Sequence, residues 1–268
     1  MPKSIRFPLF SILILFIYSS CAIQNTNTQK WKLIWEDNFE SNVLDSTKWN
    51  VIQRNRFDWG NYMSNHKDVI KIKKGKLYLR GINNPNQEKD PVKYLTGGVD
   101  TKGKFAYQYG KIEIRAKLEN AQGAWPAMWM LASEKKYGGY PRNGEIDIME
   151  HINHEKEIHQ TVHSYYTLDL KETENPQHTG VTKTNPNKYN TYGLEWFPDK
   201  MVFTLNGKET FTYPKLKNVD ATQWPFDQPF YFMLDMQLEG TWAGDANPKQ
   251  LPVQMIIDWV KVYKNGAN

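Results

Sequence analysis

The stretch KMVFTLNGKETFTY at residues 200–213 constrains the fold more than any other. Asn206-Gly207 between two alternating apolar runs marks a tight hairpin, because a type I′ turn needs positive φ at both central residues. A second hairpin is expected over residues 69–80, VIKIKKGKLYLR, around Lys74-Gly75. In GKIEIRAKL (110–118), Ile112, Ile114 and Ala116 share one face of a strand, and Lys111, Glu113, Arg115 and Lys117 share the other. FYFMLDMQL (230–238) and VQMIIDWVKVY (253–263) read as further strands. No internal repeat, low-complexity stretch or composition shift marks a second domain. A 268-residue chain of this pattern reads as one all-β sandwich of two packed sheets. Such a large twisted sandwich is expected to offer a concave face able to hold an extended ligand.

The first twenty residues differ in kind. MPKSIR carries Lys3 and Arg6, FPLFSILILFIY is an apolar run too short to span a bilayer comfortably, and SSC ends at Cys21, the only cysteine. This order resembles a bacterial lipoprotein signal, in which Cys21 becomes the lipidated first residue. Tyr18 departs from the aliphatic residue usual at its position, and an ordinary secretory peptide is the alternative. Either reading implies export, with residues 1–20 a signal, 21–30 a polar tether and 31–268 the folded domain. The lipoprotein reading places the chain at the outer membrane, on its surface or its periplasmic side. A single cysteine leaves no internal disulfide, so stability must come from the core. Loss of Lys3 and Arg6 lowers the formal charge of +5 to +3, with acids and bases interspersed. No Lys/Arg block suggests nucleic acid as a partner. A monomer is the default expectation.

Residues 143–152, NGEIDIMEHI, hold three carboxylates at Glu145, Asp147 and Glu150. On a helix they would scatter over different faces, and Asp147 and Glu150, three apart, would repel. Gly144 and the apolar Ile146 and Ile148 favour a strand with Glu145 and Asp147 on one face. Glu150 rejoins that face only if one residue is inserted, as a β-bulge near Met149 would do; bulges often re-aim side chains beside active sites. A solvated acidic strand face is the competing reading. A zinc protease is excluded, because in HEKEIH His154 and His159 are five apart rather than four, and His159 and His163 lie in an alternating segment. No G-x-S-x-G is present to supply a serine nucleophile. Paired carboxyls do suit glycosidic-bond cleavage, in which one protonates the leaving oxygen and the other attacks or activates water. Ten Trp and fifteen Tyr supply the flat apolar surfaces on which sugar rings stack. Trp125 and Trp129 in GAWPAMWML precede the acidic strand, although core packing is their other reading. Pro126 between them argues for a cleft rim over a central strand.

GEIDIME resembles the bulged E-x-D-x-x-E signature of glycoside hydrolase family 16. YGKIEIRAKL, GAWPAMWML, TVHS, YGLEWFPDKMVFTLNG and IIDWVKVYK resemble further stretches of that family in the same order, over about residues 31–264. The resemblance implies a concanavalin-type β-jelly roll with a glycan groove and hydrolysis with retention. It makes Glu145 the nucleophile, Glu150 the general acid/base and Asp147 the residue that orients and tunes the nucleophile. Carboxyls about 5 Å apart repel by roughly 3 kcal/mol at an effective dielectric near 20, which raises one pKa by about two units. Glu150 is therefore expected to keep its proton near neutral pH.

The same resemblance implies substrate contacts from Glu113 and Arg115, whose other reading is a cross-strand ion pair. It also implies contacts from His163, which could instead be a satisfied core histidine, and from Asn61 and Trp242. Asp258 matches a position that holds a structural calcium in some members, and no cofactor is required for catalysis. Within the family the motifs resemble laminarinase and mixed-linkage glucanase forms, which points to β-1,3/1,4-glucan ahead of laminarin. A non-catalytic glycan-binding protein and a galactan hydrolase acting on agar, porphyran or carrageenan are the alternatives. Sulfated galactans would call for added Arg or Lys in the groove, and only Arg142 stands near the Trp125 and Glu145 segments.

Overall fold

Both anticipated hairpins form, and their central residues adopt the left-handed backbone of a type I′ turn: φ is 54° and 75° at Asn206 and Gly207, and 53° and 65° at Lys74 and Gly75. The computed structural model describes Met1 and residues 30–266. The expected signal, Cys21 and all of the tether but Lys30 lie outside the described residues. The strands are β1 (Trp31–Asp37), β2 (Asn50–Val51), β3 (Ile70–Ile72), β4 (Leu77–Asn83), β5 (Tyr94–Thr96), β6 (Gly98–Asp100), β7 (Gly110–Leu118) and β8 (Ala124–Ala132). They continue with β9 (Glu145–Glu150), β10 (Glu157–His163), β11 (Thr179–Lys183), β12 (Asn190–Trp196), β13 (Lys200–Leu205), β14 (Lys208–Pro214), β15 (Phe230–Leu238) and β16 (Val253–Asn265). A four-residue helix, α1 (Tyr165–Leu168), follows β10.

The strands form two antiparallel sheets. One has nine strands in the order β14-β13-β12-β7-β16-β4-β3, with β1 also paired to β16 and β5 to β4. The other has seven, in the order β11-β10-β9-β8-β15-β6-β2. Period-two alternation decides what enters the space between them. Ile112, Ile114, Ala116 and Leu118 of β7 face Met128 and Met130 of β8, Ile146 and Ile148 of β9, and Phe230, Phe232 and Leu234 of β15 in one core. Trp35, Trp49 and Phe232 meet edge-on with ring centroids 5.2–5.5 Å apart. The Trp49 indole N–H, which burial would otherwise leave unpaired, donates to Asp37 at 2.7 Å. Each large apolar side chain so buried contributes roughly 1.5–3 kcal/mol.

Pro126 corrects one expectation. It lies inside β8, between β9 and β15 near the middle of the seven-stranded sheet, rather than at a rim. Its carbonyl accepts from His151 N at 3.2 Å, so its missing N–H points to the same side, just past the end of β9 at Glu150. The ladder loses little there. Glu113 and Arg115 are a second correction: they sit on β7, in the nine-stranded sheet, whereas the acidic strand belongs to the other sheet.

Candidate active site

The acidic strand carries the expected bulge. Against β8, Met128 pairs with Met149 but the next residue, Trp129, pairs with Asp147; against β10, His159 pairs with Glu150 and Thr161 with Asp147. Ile148 is the extra residue. It and Met149, though consecutive, both enter the core, together with Ile146. Glu145, Asp147 and Glu150 consequently share the opposite face, and all three line one cavity of about 650 Å³. Gly144 leads into the strand at φ 79°, where a Cβ would stand 2.6 Å from the Phe226 ring, so only glycine delivers Glu145 to this place.

Burial dominates the electrostatics of the cluster. It pushes the carboxyl of Glu145 well up, and repulsion from Glu150 adds to this. Burial likewise raises Asp147, with Glu145 and Glu150 adding to the effect, and it raises Glu150. Donors divide the three. The neighbouring Tyr140 hydroxyl and Asp147 favour the anion of Glu145 and work against its burial. Glu150 accepts from Trp125 Nε1 at 2.9 Å. At Asp147, 2 % exposed, burial and both neighbouring carboxyls favour the protonated form, whereas Glu145 and Glu150 each have a neighbouring donor that favours the anion. One atom each of Glu145, Asp147 and His163 fall within 4.8 Å of one another. Burial, with His178 nearby, holds the His163 imidazole down at about 4, so it is neutral at pH 7. Its Nε2 stands 3.3 Å from Asp147 Oδ2.

Aromatic groups complete the walls. Trp242, 40 % exposed, meets Trp125 edge-on at 5.5 Å, and both line the cavity. Trp129 also lines it, although 5 % exposed, and donates its indole N–H to Asp235 at 3.0 Å. Asn61 is exposed and does not line the cavity; from its segment Asp58 and Trp59 do, with Phe57 stacked on Trp59 at 6.2 Å. The side chain that this segment turns to the cavity is thus Trp59, two residues before the expected contact Asn61.

Glu113 and Arg115 take no part. Arg115 pairs across strands with Asp258 on β16, as the ion-pair reading has it, whereas Glu113 accepts from Lys111 of its own strand at 3.0 Å. Asp258 does not suit a calcium ion: Lys76 occupies Oδ1 and Arg115 occupies Oδ2. Two neighbouring cations repel a third.

Several further residues line the cavity. Tyr140 stands in an irregular loop between β8 and β9 that no periodicity marks. Lys102 and Lys135 line the cavity from loops and make no ion pair among the described residues; Lys102 Nζ lies 5.8 Å from the Tyr231 ring centroid, and Arg142 stacks on the Tyr165 ring at 3.7 Å. Gln237 lines the floor beside buried Asp235. These two did leave a signal: acidic and amide residues two apart in an otherwise apolar strand.

Residues 54–261 match the model of the family described as glycosyl hydrolases family 16. A β-glucanase of Rhodothermus marinus is 31% identical over 87% of this chain and 85% of its own length. A keratan-sulfate endo-1,4-β-galactosidase of Sphingobacterium multivorum is 36% identical over 88% of this chain, which spans only 56% of that relative. The solved structure of the laminarinase from Rhodothermus marinus superposes with a TM-score of 0.80 at 30% identity, covering 88% of this chain and 98% of that one.

Proposed function

The chain belongs to glycosyl hydrolase family 16, and on that premise we propose that it is a retaining endo-β-glucanase acting on mixed-linkage β-1,3/1,4-glucan and also on β-1,3-glucan. The observation that carries this reading is the bulge, which turns Glu145, Asp147 and Glu150 onto one cavity face beside Trp125, Trp129 and Trp242. In the first step a Glu145 oxygen attacks the anomeric carbon while Glu150 gives its proton to the departing glycosidic oxygen. In the second, Glu150 takes a proton from water, whose oxygen attacks the same carbon and expels Glu145. Two faces are used in turn, so configuration is retained. Asp147, protonated and bonded to Glu145, holds the nucleophile's rotamer, and neutral His163 backs Asp147 without adding charge. Only carboxyl chemistry is needed, so no cofactor is required.

Support for export comes from the leader and Cys21 alone; we place the protein at the outer membrane as a lipid-anchored monomer. Incorporation of radiolabelled palmitate, abolished by Cys21→Ser, tests the anchor.

A second reading, hydrolysis of an anionic β-galactan, rests on two ammonium groups at the cavity, Lys102 and Lys135, that make no ion pair among the described residues, and on the 36% identical relative named for keratan sulfate. Incubation with barley-type β-glucan, laminarin, xyloglucan, agarose and keratan sulfate, followed by product sizing, separates the readings. Short tri- and tetrasaccharides from β-glucan support the first, and cleavage of keratan sulfate alone supports the second. Binding with no oligosaccharide released from any of them overturns both.

A further inference from the structure

The following builds on the reading that the cavity holds a glycan. Strand β15 sends Leu234, Met236 and Leu238 into the core and turns Asp235 and Gln237 to the cavity side. Asp235 is fully buried, yet both oxygens are used: Oδ1 accepts from Gln237 Nε2 at 2.8 Å, and Oδ2 accepts from Trp129 Nε1 at 3.0 Å. Two N–H donors on one carboxyl favour its acceptor-only anion, against the burial that raises its pKa to about 7. That carboxylate fixes the neighbouring amide, because Gln237 can bond to it only through its NH₂ end. The amide oxygen is then turned away from Asp235. Gln237 is 2 % exposed, lies opposite Trp125 in the adjoining strand and lines the cavity, and its Oε1 has no hydrogen-bond partner. Buried amide oxygens are seldom left unpaired, and one at the wall of a binding cavity is explained when a ligand supplies the missing donor.

We propose that Gln237 Oε1 is a recognition acceptor that takes a hydrogen bond from one hydroxyl of the bound sugar, and that Asp235 is a positioning residue that keeps the amide in this orientation. An acceptor held by a carboxylate selects a donor. A ring hydroxyl satisfies it. The same sugar position carrying a sulfate or carboxylate has no proton to give and is repelled by Oε1 and by Asp235 behind it. This point of the cavity therefore requires an unsubstituted hydroxyl, whatever charge the glycan bears elsewhere.

The test compares the full-length protein with Gln237→Leu and Asp235→Asn, on the parent oligosaccharide and on a panel in which each compound lacks one ring hydroxyl. Loss of a buried bond of this kind lowers kcat/KM for Gln237→Leu about tenfold or more. One deoxy compound is cut poorly by the wild type, and Gln237→Leu no longer distinguishes it from the parent. Asp235→Asn, whose amide can meet Gln237 with either end, loses part of the same discrimination while its thermal midpoint does not fall. A purely structural role would leave the deoxy pattern unmoved. Should the leucine variant not fold, Gln237→Met carries the same comparison. The proposal is overturned if the apolar variant discriminates every deoxy compound as the wild type does. A wild type that cuts none of the glycans overturns the functional reading itself, and this proposal with it.

Discussion

The indole N–H of Trp125 meets Glu150 Oε1 at 2.9 Å, so the aromatic wall and the acid group of the cavity are one hydrogen-bonded unit. The bond favours the ionised form of Glu150 and opposes the burial that raises its pKa to about 7. Trp125→Phe keeps a flat ring and removes the donor. The Glu150 carboxyl then rises further, and the alkaline limb of the kcat/KM profile moves to higher pH, while the maximal value falls about tenfold. A limb that stays in place or moves down in a pH-rate series contradicts this coupling.

Asp147 acts on the opposite limb. Asp147 lowers the pKa of Glu145, the proposed nucleophile, so Asp147→Ala is expected to move the acid limb upward and to cost about tenfold to a hundredfold in kcat/KM. Asp147→Asn still offers an N–H donor and retains most of the rate. Equal losses in the two variants, measured by steady-state kinetics, would show that donation is not the role of this residue.

Clustered buried acids cost stability, and the sign follows from linkage. The Glu150 pKa rises from 4.5 to about 7 on folding, so its folded form binds the proton more tightly. That contribution is complete below the unfolded value and is lost as pH rises through the folded one. Glu150→Gln should match the wild type near pH 4 and melt on the order of several degrees higher at pH 8. Calorimetric scans across this range showing a constant gap would refute the assignment.

On the other sheet, Asp258 serves Lys76 and Arg115 rather than a metal. Its replacement by Ala leaves two cations adjacent and should lower stability by about 1 kcal/mol while leaving glycan hydrolysis within twofold of the wild type. Thermal midpoints in EDTA and in millimolar calcium should coincide. A calcium-dependent midpoint lost in Asp258→Ala would restore the metal reading.

What the sequence disclosed tracks what periodicity encodes. The one-residue excess in EIDIME reports a bulge, because alternation assigns each side chain to a face and only an insertion returns Glu150 to that of Asp147. Asn206-Gly207 reports a turn, because few residues accept positive φ. Alternation says nothing about which sheet a strand joins, so it offers no check on the contacts that the resemblance implies for Glu113 and Arg115, and β7 lies in the other layer. Tyr140, Lys102 and Lys135 reach the cavity from loops whose course is set by tertiary packing and leaves no period. Trp59 outranks Asn61 because the short turn at Asp58–Gly60 directs the indole inward, a choice local composition does not determine.

The division of labour between Glu145 and Glu150 is tested most directly by adding azide to variants lacking each carboxyl and determining the anomer of the glycosyl azide formed. With Glu145→Ala, azide enters the space left by the nucleophile and should give the α-anomer. With Glu150→Ala, a covalent intermediate still forms on Glu145, and azide should displace it to give the β-anomer. The same anomer from both variants, or the two in reversed order, would contradict the roles assigned here.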